Sequence, residues 1–536
     1  VRRWNGWGTA ETPEERLGEQ VLRYLRSSLG ELTPSEDATL AEVLRSVPDS
    51  SLPPHPLVGI GAEIRLRHAR GQSLPDWVAL RTGRIGPFPD GVCAPTTEGD
   101  IRLLLEYAGE AGAALIPYGG GTSVVGHINP TGGDRPTLTM SMRGFNRLRS
   151  LDGISHLAVL EAGMTGPEIE ANLNREGFTL GHFPQSFEFS TLGGWIATRS
   201  TGSQSQYYGR IEDLFAGGHL ETPGGPFDLP PFPASAAGPD LRQLVLGSEG
   251  RLGIVTHAAM RVSPFPPEER FYGVFLPSFD AGLAVARQVT QARVPISMLR
   301  LSDAVETETS LILLDRPDLT RWLGRGLKML GLGAQPCMVV LGLTGHAPIC
   351  RAAYRLVRHL VRSHNGILIK PIIGNAWHAS RFKTPYLRNS LWKAGVGLDT
   401  LETALPYTGY LNAFTNIKEA IRRAAEAQQE QVLAFGHCSH SYPDGGNAYI
   451  TFLFRHFRDP ERTLELWRAM KLAASQAIVA HGGTISHQHG VGLDHRSYLP
   501  QEKGQMGMHS LAAIRESFDP RRVLNPGKLI DDQVAE

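Results

Sequence analysis

The chain has 536 residues, enough for two to four domains with sizeable cores. It is 41% hydrophobic and 20% charged, which reads as soluble and globular. Lys+Arg and Asp+Glu both total 53, so a zero formal charge argues against bulk attraction to nucleic acid or an anionic membrane, while leaving room for a local basic pocket. The four cysteines, Cys93, Cys337, Cys350 and Cys438, form no CxxC pair and read as buried, reduced thiols. The N-terminal residues lack the zones of a secretory signal, and no apolar run reaches the span of about 18 residues that a membrane helix needs. A cytoplasmic protein is expected, with peripheral lipid contact and a homodimer left open.

In chain order, Gln20–Leu29 and Leu40–Arg45 carry helical patterns, and proline-rich Ser51–Pro56 reads as a linker. From Val92 strands and helices alternate. Asp100–Gly112 is an amphipathic helix, and Ala114–Pro117 is a short strand running into glycines. His156–Ala162 is a strand, Pro167–Glu176 a helix stopped at Gly177, and Pro223-Gly224-Gly225 a hairpin turn before the strand Arg251–Val262. From Glu269 the pattern restarts. Phe271–Leu276, Ile296–Leu301, Cys337–Leu343, Ile367–Pro371, Val432–His437 and Ala448–Phe454 read as strands. Ala281–Thr290, Ala352–Ser363, Ile417–Gln428 and Pro460–His481 read as helices. That rhythm fits an antiparallel sheet with helices on one face. The chain thus divides into an N-terminal helical segment and linker (1–90), a first lobe (91–268), a second lobe (269–504) and a C-terminal segment returning to the first lobe (505–536).

Glycine is enriched, at 60 residues, and clusters in three loops. In Pro117-Tyr118-Gly119-Gly120-Gly121-Thr122-Ser123 three glycines bare the backbone N–H groups and two hydroxyls follow, a pattern suited to a pyrophosphate. It is neither a Walker A loop nor a GxGxxG fingerprint. The second cluster is Gln185-Ser186-Phe187-Glu188-Phe189-Ser190-Thr191, followed by Thr198-Arg199-Ser200-Thr201. The third runs from Gly247 through Glu249-Gly250-Arg251-Leu252-Gly253-Ile254-Val255. Three such loops in one lobe point to backbone wrapped around a large polar cofactor.

In the second lobe, His437 and His440 are explained equally well by packing. His487 and His489 sit in a glycine-rich turn after a long helix. No Cys or acidic ligand lies nearby at zinc spacing, so no metal is expected, and proton transfer or anion binding suits the pair better. Arg388 is the best single candidate for a phosphate or carboxylate anchor, although spacing alone favours a surface ion pair.

At these residues the chain resembles the alkyldihydroxyacetonephosphate synthases, and more broadly the bacterial FAD-linked oxidases of the vanillyl-alcohol-oxidase-type, or PCMH-type, superfamily. The likeness rests on Trp4-Asn5-Gly6-Trp7-Gly8, the 117–123 loop, the Phe187–Leu214 block, Gly247–Val255 and His487–Gly492. It implies an α+β, two-lobed PCMH-type FAD-binding fold with an antiparallel-sheet cap domain. It implies FAD contacts from residues 117–123, 185–191, 198–201 and 249–255. FAD is expected to be non-covalent, because Gly121 stands where relatives with covalent flavin often carry a histidine. The resemblance also implies exchange of the acyl group of an acyl-dihydroxyacetone phosphate for a fatty alcohol, without net redox change. It assigns Tyr449 as acid/base, Arg388 as phosphate anchor, and Arg300, His487 and His489 to the catalytic wall, with the Tyr449 pKa expected to fall beside a cation. Two departures stand out. Gln488 replaces the middle of three family histidines, and Asn525-Pro526-Gly527-Lys528 resembles bacterial 2-hydroxy-acid dehydrogenases. The alternative function is therefore flavin-dependent oxidation of a 2-hydroxy acid or another alcohol.

Overall fold

The computed structural model describes residues 1–313, 332–333, 335–369 and 371–532. The parts of the expected second lobe and C-terminal segment at 314–331, 334, 370 and 533–536 lie outside the described residues.

The first lobe holds two main sheets. A four-stranded sheet runs in the order Val58–Gly59, Gly91–Cys93, Thr137–Ser141, Ala114–Tyr118. Its last three strands are parallel. Parallel strands need a long connection, and helix Glu98–Glu110 supplies one of them. Thr97 and Asp100 cap its start reciprocally, each side chain accepting from the other's backbone N–H. Ile101, Leu104, Leu105 and Ala108 then form one helical stripe, packed on Leu115, Leu138 and Met140. The C-terminal segment packs against this sheet. Leu524 bridges Leu115 in parallel, and the Asp519 carboxylate fixes the turn by accepting from the N–H groups of Val523 and Leu524.

The five-stranded antiparallel sheet has the order Leu148–Asp152, Leu157–Glu161, Ile254–Arg261, Phe215–Thr222, Gly225–Leu229. The expected hairpin turn at Pro223–Gly225 joins its last two strands.

The second lobe is one seven-stranded sheet, antiparallel throughout. Its order is Ile367–Ile369, Glu268–Leu276, Cys337–Gly345, Met298–Ser302, Val432–Cys438, Gly445–Arg455, Val396–Pro406. Helices Phe279–Gln291, Ala347–Ser363, Tyr407–Glu426 and Pro460–Ala480 cover one face. The period of two does the sorting. Ile450, Phe452 and Phe454 enter the helix-side core, whereas Tyr449 and Leu453 point to the other face. On the edge strand Leu401 and Leu405 go in, while Leu398 and Glu402 go the other way. Glu402 stands directly opposite Tyr449 in the register. All four cysteines are buried and free, as expected. Among the described residues no helix is long and apolar enough to cross a membrane.

The N-terminal residues clasp both lobes. Helix Glu19–Leu29 buries Val21, Leu25 and Leu29 against Leu391, Phe435 and Leu453 of the second lobe. Trp7 is buried in the second lobe's core and meets the Phe189 ring edge-on at 5.3 Å. The unusual Trp4–Gly8 opening is explained by close approach. A side chain at Gly6 would strike the Asn389 Oδ1 and Arg81, and Gly8 has φ +98° against Tyr386. The buried Asn389 amide accepts from Trp7 N at 3.2 Å and Arg81 Nη2 at 2.8 Å, and donates to Trp7 O at 2.9 Å. Asn389→Ala leaves these buried groups unpaired. It should lower unfolding free energy by about 2–4 kcal/mol in a urea titration, and an unchanged midpoint would contradict the clasp.

Candidate active site

The three glycine-rich loops converge. Strand Ala114–Tyr118 delivers the 119–123 loop onto the 189–191 segment. A Cβ at Gly119 would collide with the Thr191 hydroxyl, and one at Gly120 with the Phe189 carbonyl. Gly250, at φ +74°, brings the third loop onto the Pro117 ring. Arg2 holds the carbonyls of Gly120 and Gly121. Among the described residues, the N–H groups of Gly120, Gly121, Thr122 and Ser123 donate to no protein acceptor. The hydroxyls of Thr201 and Ser203 are likewise buried without partners.

The remaining loop residues divide by role. Ser190 accepts from Trp195 Nε1 and donates to Ser186 O. Gln185–Thr191 thus packs as a knot against the 117–123 loop, with Phe187 stacked on Phe382 at 4.7 Å. Thr198 ends helix Leu192–Thr198, and Arg199 follows in the left-handed region at φ 53°. Its guanidinium turns to Leu246 O and the Gln243 side chain. Ser200 bonds His182 at 3.1 Å. Arg251 is also engaged in structure, bound to Asp532 and to the carbonyls of Leu524 and Asn525. Leu252 and Gly253 lead into the strand that begins Ile254, Val255.

On the open face of the seven-stranded sheet, Arg300, His437 and Tyr449 stand on three neighbouring strands. The Tyr449 ring stacks on His437 at 4.7 Å, and its hydroxyl lies 3.4 Å from His489 Nε2. Arg300 is paired with Glu306 at 2.8 Å, and His437 Nδ1 meets the same carboxylate at 2.9 Å. Arg300 therefore supports Tyr449 through His437. Burial lowers the His437 pKa, with Arg300 adding to the effect. Burial also raises the Tyr449 pKa, and the Glu402 charge raises it further. The expectation of a lowered phenol pKa is thus reversed within the protein's own groups. Tyr449 stands as a protonated phenol, ready to donate.

The His487–Gly492 turn is held from both lobes by carboxylates. Glu402 Oε1 accepts from the N–H groups of Gln488 and His489, both at 2.6 Å. Glu249 accepts from Val491 N at 2.5 Å and Gly492 N at 2.9 Å. Burial pushes the Glu402 pKa up, but the charges and hydrogen bonds of His489 and His487 and the Gln488 N–H outweigh it, bringing it down to about 2. Gln488 joins this clamp through its backbone, so the departure from the histidine pattern leaves the turn intact. His487 Nε2 bonds the Tyr442 hydroxyl at 2.6 Å, and Arg210 donates to that hydroxyl at 3.0 Å. The two imidazoles face different phenols and do not converge as a metal pair would. His440 serves as an inter-lobe link, bonded to Gly202 O at 3.1 Å.

Arg388 is half-buried and carries no surface ion pair. Its guanidinium donates to the carbonyls of Gln72 and Leu398 and lies 4.5 Å over the Trp77 ring. Among the described residues no carboxylate is within ion-pair distance of it. Burial pulls its pKa down to about 10, opposed by Asp399, Asp76 and Tyr449. A half-buried guanidinium with no carboxylate partner keeps its charge for an anion.

The chain matches the FAD binding domain family over residues 89–226 and the C-terminal domain of FAD linked oxidases over 265–529. It is 32% identical to the alkyldihydroxyacetonephosphate synthase of Caenorhabditis elegans, across 88% of this chain and 81% of that one. The Dictyostelium discoideum synthase is 29% identical, across 87% and 77%. The chain belongs to the alkyldihydroxyacetonephosphate synthase family. A solved alkyldihydroxyacetonephosphate synthase structure superposes with a TM-score of 0.83 at 25% identity, covering 98% of both chains. A 4-ethylphenol oxidase superposes at 0.69 with 13% identity, which shows the shared fold.

This family membership makes FAD the cofactor, and the residues fit it. The unpaired N–H groups of 120–123 and the glycines without side chains form an anion cradle at the mouth of a parallel sheet. The Thr201 and Ser203 hydroxyls supply further donors.

Several functional groups carry no motif of their own. Glu402, Glu306 and Glu249 are single acidic residues in strand, helix and loop. Asp494, two residues past the clamped turn, is another. Burial pushes its carboxyl up to about 7, with Lys471 opposing and Asp399 and Asp76 reinforcing, and Oδ2 has no hydrogen-bond partner. Because the folded pKa lies above the unfolded one, this group's cost is absent below about pH 4 and grows as pH rises to about 7. Asp494→Asn should therefore melt with wild type at pH 4 and above it at pH 8. Equal melting temperatures at both pH values would show that this carboxyl is not strained.

Proposed function

We propose that the chain exchanges the acyl group of an acyl-dihydroxyacetone phosphate for a long-chain alcohol, forming an ether lipid precursor. The observation that carries this reading is a half-buried guanidinium without a carboxylate partner, Arg388, beside the Tyr449–His489 pair. The relatives named as alkyldihydroxyacetonephosphate synthases support it. Cytoplasmic placement and peripheral lipid contact belong to the same proposal, since both organic substrates carry long alkyl chains.

Arg388 binds the phosphate, orienting the dihydroxyacetone carbons beneath Tyr449. The N–H groups of 120–123 and the Thr201 and Ser203 hydroxyls would hold FAD non-covalently, and the flavin would supply an electron sink with no net redox change. His489 Nε2 shares the Tyr449 proton, so the phenol takes up or returns a proton at the carbon beside the carbonyl. The His437 ring fixes the plane of the phenol, and Glu306 fixes His437. Burial of His437 and Glu306 keeps water away from this support.

The oxidase alternative leaned on Asn525–Lys528. In this chain that segment is internal bracing. Asn525 Nδ2 donates to His127 O and Glu249 O, and Lys528 Nζ donates to Asn129 O. These bonds hold the first lobe together and do not distinguish a hydroxy acid from a phosphate ester.

Mass spectrometry of holoenzyme with palmitoyl-dihydroxyacetone phosphate and hexadecanol should find the alkyl ether and free palmitate. No ether, with anaerobic flavin bleaching by D-lactate or glycolate, would move the chain to the oxidase reading. Tyr449→Phe should keep FAD and lose about 100-fold or more in kcat. Arg388→Lys should raise KM for the phosphate ester about ten- to hundred-fold, the loss of a bidentate charge-assisted contact.

A further inference from the structure

The site contains two tyrosine–histidine pairs built around one carboxylate. Tyr449 faces His489 Nε2 at 3.4 Å, and Tyr442 faces His487 Nε2 at 2.6 Å. Each imidazole turns its Nδ1 toward Glu402, at 3.6 Å for His489 and 3.7 Å for His487. Both Nδ1 atoms are buried and make no hydrogen bond, so the carboxylate acts on them through charge at this distance. Glu402 is fully buried and stands in register with Tyr449 across the sheet. Its position thus sets the orientation of both rings at once.

The two pairs open in different directions. Tyr449 and His489 lie on the sheet face beside Arg388. Tyr442 and His487 line a cavity of about 620 Å³ with Arg210, Glu212, Ser486 and Lys503, a cavity that Tyr449 and His489 do not line. Lys503 is 45% exposed, so this cavity reaches solvent. Arg210 Nε pairs with Glu212 at 2.9 Å, and Arg210 Nη1 donates to the Tyr442 hydroxyl. Burial pushes Tyr442 up to about 12, so it rests protonated and passes a proton by exchange.

The acyl exchange needs such a path, and this inference rests on that reading. An ester and an alcohol become an ether and a carboxylate. The carbon–oxygen bond to the carboxylate breaks, the bond to the alkoxy oxygen forms, and the hydroxyl proton of the alcohol is left over. No electrons are gained or lost overall. That proton arises beside Tyr449, a half-buried phenol on the sheet face.

We propose that Glu402 is a positioning residue coupling the two pairs, and that the surplus proton leaves along Tyr449, His489, Glu402, His487 and Tyr442 into the second cavity. The inner pair handles the substrate, and the outer pair handles the solvent. Gln488, between the two histidines, contributes only its N–H to Glu402, so the path does not need a third imidazole.

The test uses holoenzyme and the Tyr442→Phe variant, which keeps the ring and removes the relay hydroxyl. KM for both substrates and FAD content should stay within about two-fold of wild type, while kcat falls about ten-fold. The solvent deuterium isotope effect should rise, and imidazole small enough to enter the cavity should restore part of the rate. Unchanged kcat and isotope effect overturn the path. A rate loss without an isotope effect or rescue overturns it too, as a structural effect only. Glu402→Gln gives a second readout independent of turnover. In 15N-histidine-labelled holoenzyme it should shift the Nδ1 signals of both His487 and His489, and a shift confined to one ring overturns the coupling. If the wild type forms no ether, the acyl-exchange reading fails, and the histidine spectra still decide the coupling.

Discussion

Two buried carboxylates holding one turn are the constraint on which the rest of the site depends. Glu402 comes from the edge strand of the seven-stranded sheet, and Glu249 from a glycine-rich loop of the other lobe. Each accepts two backbone N–H groups of the His487–Gly492 turn. A carboxylate accepting backbone N–H bonds in a dry interior holds far more strongly than it would in water. Removing either one would leave buried donors orphaned and release the turn from one lobe. Lobe spacing, histidine orientation and phenol contacts all follow from this double clamp. The terminal Asn525 braces it further, by donating to the carbonyl of Glu249 itself.

Around the clamp, charge is arranged in short balanced groups rather than one large field. Arg300, Glu306 and His437 close on themselves, as do Lys471, Asp399 and Trp467, with bonds of 3.1 Å and 2.6 Å to Asp399. Arg388 is left with carbonyls, and Asp494 with no hydrogen bond at Oδ2. Unbalanced buried groups are costly, and the raised carboxyl of Asp494, two residues past the clamped turn, carries that cost.

Much of the scaffold was legible in the residues. Apolar runs such as Leu157–Glu161, Cys337–Gly345 and Val432–Cys438 declare themselves as strands, and the three glycine loops signal close backbone approach. The edge strand Val396–Pro406 did not. Gly397, Asp399, Glu402 and Pro406 break its pattern, and its charges are inward because their partners come from Lys471 and from N–H groups 86 and 87 residues away. The start of helix Tyr407–Glu426 was also obscured, ten residues before the predicted Ile417. Its first turns are rich in aromatics, Gly and Asn, poor helix formers that tertiary packing of Tyr410, Ala413 and Phe414 overrides. Helix Leu499–Phe518 hides behind Pro500, Gly504 and Gly507, and Gly504 breaks it at φ 67°.

The site shows the same division for a related reason. Residue type advertises chemistry when it is rare in context, as with His487-Gln488-His489 or three successive glycines. It says little when the residue is common and its partner is remote. Arg199 and Arg251 look like phosphate binders in their loops, yet their guanidinium groups end on carbonyls and on Asp532. Glu402 looks like a solvent-facing strand residue, yet it orders both histidines. The difference lies in three-dimensional partnership: a guanidinium paired with a carboxylate, as Arg251 is with Asp532, has no charge left for an anion, whereas a carboxylate between two imidazoles orients both. The replacement of a family histidine by Gln488 is tolerable on this view. What the turn requires at that position is an N–H aimed at Glu402, and every residue but proline provides one.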